Sequence, residues 1–225
     1  MDNGDDLFFR LIRKLDAGGV LQRIVLIGSW ALPVYRCYFD DDPEIPLLRT
    51  TDVDFLIGKP PRITSTFDVH GALSELGFEP EWAAYGGYCK YVHIDMEVEF
   101  LIPEQGAGEN HAVAVDQLNV VAQPLRYLTL AYDRSMVVLF RGFRIRVPEP
   151  EAFVLLKLLV LPRRKDNAKT AKDAQTAKAL GEFLINRPER RVILADLFAE
   201  LPKGWQKTIR KVAGEHVPIL SDLLS

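Results

Sequence analysis

Ile24-Val25-Leu26-Ile27-Gly28-Ser29-Trp30 and, downstream of it, Thr51-Asp52-Val53-Asp54-Phe55-Leu56 are the stretches that decide how this chain folds. The first is an apolar run of strand character that ends in a small, tight turn. Glycine there lets the backbone approach an anion, and a helix opening after the turn adds N–H donors and a favourable dipole end. The second stretch alternates acid and hydrophobe. Side chains at i and i+2 of a strand share a face, so Asp52 and Asp54 point one way and Val53 and Phe55 the other, into a core. Aspartate is disfavoured in strands, and two on one face repel unless a cation sits between them. The usual occupant is a divalent ion, and its usual cargo is a nucleoside triphosphate.

Outward from these stretches the signals alternate between helix and strand. Leu7, Phe8, Leu11, Ile12 and Leu15 fall at helical spacing, with Gly18-Gly19 as the stop. Residues 21–27 and 51–57 read as strands, and Ser29 as the cap of a helix starting at Trp30-Ala31. A short helix is expected over residues 69–76, and one long strand over 91–102. A loop follows over 103–110, and a short helix opening at Gln123-Pro124-Leu125. Residues 136–140 and 143–147 flank Arg141-Gly142 as a hairpin. From Pro148 the character changes: an all-round apolar helix over 151–161, then helical periods broken at Pro188, Pro202 and Pro218. The expected architecture is therefore α/β (α+β): a mixed sheet flanked by helices over residues 1–147, then a helical domain over 148–225.

Composition excludes several classes. The chain has 225 residues, ordinary apolar and charged content and a net charge of −3, so the global balance argues neither for duplex nucleic acid nor for an anionic membrane. No apolar run is long enough to span a bilayer. The acidic start, Met1-Asp2-Asn3-Gly4-Asp5-Asp6, is the reverse of a signal peptide. The two cysteines have no CxxC spacing, so a disulfide framework or zinc site is not expected and a cytoplasmic location fits best. His70, His93, His111 and His216 lack metal-ligand spacing, and no Gly-x-Ser-x-Gly points to acyl transfer.

A third carboxylate comes from residues 91–102. Strand parity over that stretch puts His93, Asp95, Glu97 and Glu99 on one face, so alternation leaves Asp95, Glu97 and Glu99 open. Together with Gly28-Ser29 and Asp52-Val53-Asp54, the stretch Glu97-Val98-Glu99-Phe100-Leu101 resembles the nucleotidyltransferase superfamily to which DNA polymerase β belongs. More narrowly, the chain is similar to bacterial and archaeal nucleotidyltransferase-like proteins. These carry a sequence like Glu99-Phe100-Leu101-Ile102-Pro103, a segment like Ala122-Gln123-Pro124-Leu125 and a helix like that running from Val147-Pro148 through Lys157. The similarity covers most of residues 20–175.

The resemblance implies transfer of a nucleoside monophosphate from an NTP to an acceptor, with pyrophosphate leaving. Gly28 and Ser29 would hold the phosphates, and Asp52 and Asp54 would hold Mg²⁺ or Mn²⁺. The third acid would complete the metal site and help deprotonate the acceptor; the resemblance favours Glu99, the acid directly before Phe100-Leu101. The acceptor is left open among small molecule, protein and RNA, and a small protein partner is also compatible. Lys157 interrupts an apolar helix and needs a carboxylate or a phosphate as partner; in similar proteins a lysine on this helix can face the cleft, and the resemblance implies nucleotide binding by Lys157. The basic run from Arg163 to Lys172 reads as a solvated face or as phosphate contacts. A competing reading is a non-catalytic binding protein or toxin–antitoxin component that kept the fold.

Overall fold

The computed structural model describes residues 3–48, 50–84, 87–104, 111–164 and 166–224. The expected loop at 103–110 therefore lies largely outside the described residues, as does Lys165 of the basic run. The chain divides into two compact units, Met1–Val34 with Leu48–Pro148, and Tyr35–Leu47 with Glu149–Ser225.

In the first unit the amphipathic helix α1 (Asn3–Ala17) buries Leu7, Phe8, Leu11, Ile12 and Leu15. After the Gly18-Gly19 turn, β1 (Ile24–Ile27) is wholly buried and runs into a 3₁₀ turn, Gly28–Trp30, from which α2 (Ala31–Tyr38) opens. β2 (Asp52–Ile57) and α3 (Val69–Ser74) follow, then β3 (Glu79–Trp82), β4 (Cys89–His93), β5 (Met96–Pro103), β6 (Val113–Val115) and β7 (Val120–Leu125). The sheet order is β1-β2-β5-β4-β3, with β7 also beside β5 and β6 beside β7. β1 is antiparallel to β2, while β2 and β7 run parallel to β5. Helix α4 (Leu128–Asp133) leads to the hairpin of β8 (Ser135–Phe140) and β9 (Phe143–Pro148). Arg141 (φ 47°) and Gly142 (φ 87°) make its two-residue turn, the left-handed pair that matches strand twist.

Three sequence expectations change. Residues 91–102 are not one strand but the β4–β5 hairpin, reversed at Ile94-Asp95. Ile94 is 93% exposed, a place no core strand residue occupies, and Asp95 N–H donates to His93 Nδ1 at 3.1 Å across the turn. Gln123-Pro124-Leu125 is strand, not helix; it pairs in parallel with residues 101–103, and the helix begins only at Leu128. Ser29 does not cap a helix, since it sits inside the 3₁₀ turn, which has no side-chain cap.

The second unit is helical: α5 (Pro150–Val160), α6 (Asn167–Ile185), α7 (Pro188–Glu200), α8 (Lys203–His216) and α9 (Pro218–Leu223). Proline opens α5, α7 and α9, where its missing N–H costs nothing. The segment Tyr35–Leu47 belongs with these helices for physical reasons. Phe39 packs edge-on against Phe183 at 4.8 Å, and Arg187 bridges to Asp42 at 2.6 Å and to Glu44 at 3.2 Å. No helix among the described residues is long and apolar enough to cross a membrane.

Buried charge in this unit is matched by opposite charge. Arg190 Nη2 donates to the fully buried Glu151 Oε2 at 2.8 Å; its Nε lies 2.7 Å from Oε1, an ion pair out of line for a hydrogen bond. Lys157 and Asp173 are both buried; Lys157 donates to Asp173 Oδ1, and Arg164 Nε donates to Oδ2 at 2.9 Å. Burial alone would raise the Asp173 pKa, but Lys157 and then Arg164 outweigh it and hold the carboxyl below its ordinary value.

Removing Lys157 leaves Asp173 buried with only Arg164. Lys157→Met is expected to destabilise the protein by about 3 kcal/mol in equilibrium denaturation. Because the folded Asp173 pKa is depressed, its stabilisation is complete above about pH 4 and is lost as pH falls through the folded value. Asp173→Asn should therefore be less stable than wild type at neutral pH. It should also lose less stability than wild type on acidification below pH ~4, measured by urea melts across that range.

Candidate functional site

The site is built by strand register in the first unit. On the buried side of the sheet, Val53 pairs with Val98 and Phe55 with Phe100, the two rings 5.9 Å apart. Tyr91 packs edge-on against Phe100 at 6.1 Å. That apolar register sets the opposite face: Asp52 stands beside Glu97, and Asp54 beside Glu99. Neighbouring strands are roughly 4.8 Å apart, so each acid pair is close. Two unit charges near that distance repel by roughly 1 kcal/mol in water and by a few at a protein surface.

The turn joins this row. Ile27, the last residue of β1, is the register partner of Asp54, which places Gly28 against the Asp54 carboxylate. Gly28 has φ +69°, and a Cβ there would lie 2.6 Å from Asp54 Oδ2, so both backbone and space demand glycine. Trp30 anchors the turn by stacking on Phe8 of α1, with ring centroids 3.9 Å apart and planes at 15°. Its indole Nε1 is buried with no hydrogen-bond partner among the described residues.

The β4–β5 reversal decides the rest of the acid face. His93 is the register partner of Met96, so it lies on the core side and not with Glu97 and Glu99. Asp95 sits in the turn, roughly 13 Å along the chain direction from Glu99. Lys90 is the residue that joins the acids: it pairs with Glu99 in register. Its Nζ lies 3.3 Å from Glu97 Oε2 and 3.4 Å from Glu81 Oε2. Partial burial works against its charge, but Glu97 and then Glu81 hold the ammonium above the ordinary lysine value. Sequence parity read through 91–102 as one strand hides Lys90; a two-residue reversal changes which residues share a face.

Gly28, in the turn after β1, thus lies beside Asp54 of β2, and Asp54 beside Glu99 of β5; Asp52 is two residues away on β2 and Ser29 follows Gly28 in the turn, whereas Lys157 belongs to the other unit and its ammonium is on Asp173. The side chains at these register positions, Asp52, Asp54, Glu97 and Glu99, are carboxylates, the donor type a hard divalent cation takes. Among the described residues no three His, Cys, Asp or Glu side chains are drawn together into a closed ligand set, so the fit rests on donor type, register and the Gly28 cradle. A cleft of about 360 Å³, lined by Asp16, Arg23 and Arg146 among others, is also present in this unit and includes none of these residues.

Among proteins of curated function, none matches the chain. Among solved structures it is similar to an antigenic nucleotidyltransferase-like protein from Paracoccidioides brasiliensis, at 16% identity over 95% of this chain and 88% of that one, with a TM-score of 0.45. It is also similar to the antibiotic-resistance factor ANT(2'')-Ia. Its solution structure matches at 15% identity, 98% and 100% coverage and a TM-score of 0.47. Its crystal structure in complex with adenylyl-2''-tobramycin matches at 12% identity, 86% and 96% coverage and a TM-score of 0.47. At such low TM-scores these likenesses carry no argument about activity. A nucleotidyltransferase family profile matches residues 7–199, which include the turn, the paired acids and most of the helical unit, and the chain belongs to that family.

Proposed function

We propose that the first unit carries out nucleotidyl transfer from an NTP to an acceptor, in the cytoplasm, with a divalent cation. The observation that supports it most is the contact of Gly28 with Asp54, in register with Glu99. A turn that would hold phosphate and carboxylates that would hold a metal support each other when adjacent, and Gly28 lies beside Asp54.

Each residue has a part in this reading. Gly28 and Ser29 cradle the β- and γ-phosphates, where the opening turn before α2 offers N–H donors and glycine admits close approach. Asp52, Asp54 and Glu99 would hold Mg²⁺ or Mn²⁺, which supplies neutralisation of phosphate charge and polarisation of the reacting oxygens. Glu99 accepts the proton of the acceptor group. The acceptor oxygen then forms its bond to the α-phosphorus, the bond to the bridging oxygen breaks, and pyrophosphate leaves. Such a reaction asks for positioning and charge stabilisation, which rigid strands supply. The acceptor is a small molecule, a protein or an RNA.

NTP with Mg²⁺ or Mn²⁺ should raise Tm, since a ligand at 100 times its Kd stabilises the native state by about 2.7 kcal/mol. NTP alone should do much less, and no shift with any of the four NTPs and either metal sinks the proposal. A shift without turnover against cell extract would make the protein a binding module instead.

Asp54→Asn and Glu99→Gln should each cut transfer by at least about a hundredfold, while Glu99→Gln leaves NTP affinity within a few-fold. Gly28→Ala should weaken NTP binding, because its Cβ meets the Asp54 carboxylate at 2.6 Å. Release of pyrophosphate from labelled NTP measures transfer in these variants, and titration of labelled NTP measures their affinity.

A further inference from the structure

The cleft at the entry to β1 stands apart from the Gly28 turn at its exit. Arg23 precedes the strand and Gly28 follows it, so an extended chain separates the two by roughly 16 Å. The cleft has a volume of about 360 Å³, the lower end of the range that small-molecule sites occupy. Asp16, Gln22, Arg23 and Arg146 supply its polar lining, and all belong to the first unit.

Arg146 is held in place by neutral groups. Its Nε donates to the Gln22 carbonyl at 3.2 Å and its Nη1 to Ser135 Oγ at 3.0 Å. Ser135 Oγ in turn donates to the Tyr132 carbonyl at 2.8 Å, so its proton is spent and it meets the guanidinium as an acceptor. These bonds fix the side chain but leave its charge uncompensated: among the described residues no carboxylate pairs with Arg146 or with Arg23.

Asp16 has the opposite want. It lies in the last turn of α1, the negative end of the helix dipole, where a carboxylate is disfavoured and a cation is attracted. Lys14 of the same turn is committed to Glu75, and among the described residues no cation pairs with Asp16. One cleft is thus lined by a carboxylate and two guanidinium groups that do not pair with one another. A ligand of one charge would be attracted by one side and repelled by the other, whereas a ligand carrying both charges satisfies both.

We infer that this cleft binds a zwitterion of the α-amino-acid type, its carboxylate on Arg146 and Arg23 and its ammonium on Asp16 at the carbonyl end of α1. The site is independent of the transfer reading.

The test is calorimetric titration and thermal melting of the full chain with each protein amino acid in turn, without metal or nucleotide. At least one should titrate to saturation and raise Tm. The same compound without its amino group, or without its carboxyl group, should bind much more weakly. Arg23→Met should weaken binding on the order of fivefold, the upper range for exposed ion pairs, and Arg146→Met on the order of tenfold. Asp16→Asn decides by its sign: it weakens a zwitterion on the order of fivefold but tightens a plain anion, because it removes a repulsion. Ligand-free Asp16→Asn should melt no lower than wild type, since the acid opposes the helix dipole, so a weakened titration is not an unfolding effect. Should Arg146→Met fail to fold, Arg23→Met and Asp16→Asn, both at exposed positions, carry the test. Asp54→Asn should leave the titration unchanged; loss of amino-acid binding there would place the ligand on the transfer face and overturn the inference. No amino acid that titrates overturns it, as does Asp16→Asn binding as tightly as wild type or tighter. Inorganic phosphate that matches the best amino acid and tightens in Asp16→Asn would make the cleft a plain anion site and overturn it too.

Discussion

The parallel register of β2 on β5 is the constraint on which the site depends. Val53 on Val98 and Phe55 on Phe100 hold it from the core side, where burying each large apolar side chain contributes roughly 1.5–3 kcal/mol. The carboxylates on the other face only follow. A slip of one residue would turn Asp52 and Asp54 into the core and Val53 and Phe55 into solvent, so the penalty for misregister is borne by hydrophobes and buried charge alike. Hydrophobic packing thus brings together like charges that would not assemble by themselves.

The same separation of labour appears in the helical unit, with the signs arranged differently. There the buried charges Lys157, Asp173 and Glu151 each have an opposite partner in the same unit. A pair of this kind adds little net stability over apolar residues of similar size, but losing one member is costly. In the second unit the buried charge is closed into pairs, whereas in the first the carboxylates of β2 and β5 are aligned on one face by the register of the strands.

Much of this was legible in the chain. Period-two alternation over residues 51–57 and the glycine turn after 24–27 were sufficient to put Asp52 and Asp54 on one strand face and Gly28 in a tight turn, since both patterns are local. What escaped was set by long-range pairing. Alternation runs unbroken through His93-Ile94-Asp95-Met96, with no glycine or asparagine to mark a reversal, yet the chain turns there and trades His93 for Lys90 on the acid face. Gln123-Pro124-Leu125 carries a proline that reads as a helix start, but its place beside β5 is given by the sheet. Lys157 was legible as a buried lysine in need of an anion; that the anion is Asp173, sixteen residues on in the next helix, was not.

The Gly28–Trp30 turn depends on a similar hidden support. Gly28 is demanded by its own φ of +69° and by Asp54, but nothing local keeps a short 3₁₀ turn in place. Stacking of Trp30 on Phe8 ties it to α1, a helix whose other apolar residues are anchored in the core. An aromatic pair is worth about 0.5–1.5 kcal/mol beyond its burial, enough to bias a three-residue turn toward one conformation. The orphaned indole Nε1 detracts from that gain by the desolvation of one donor. The ring area of Trp30, not its N–H, is what the turn uses, and the turn's fixed place is what keeps Gly28 against Asp54.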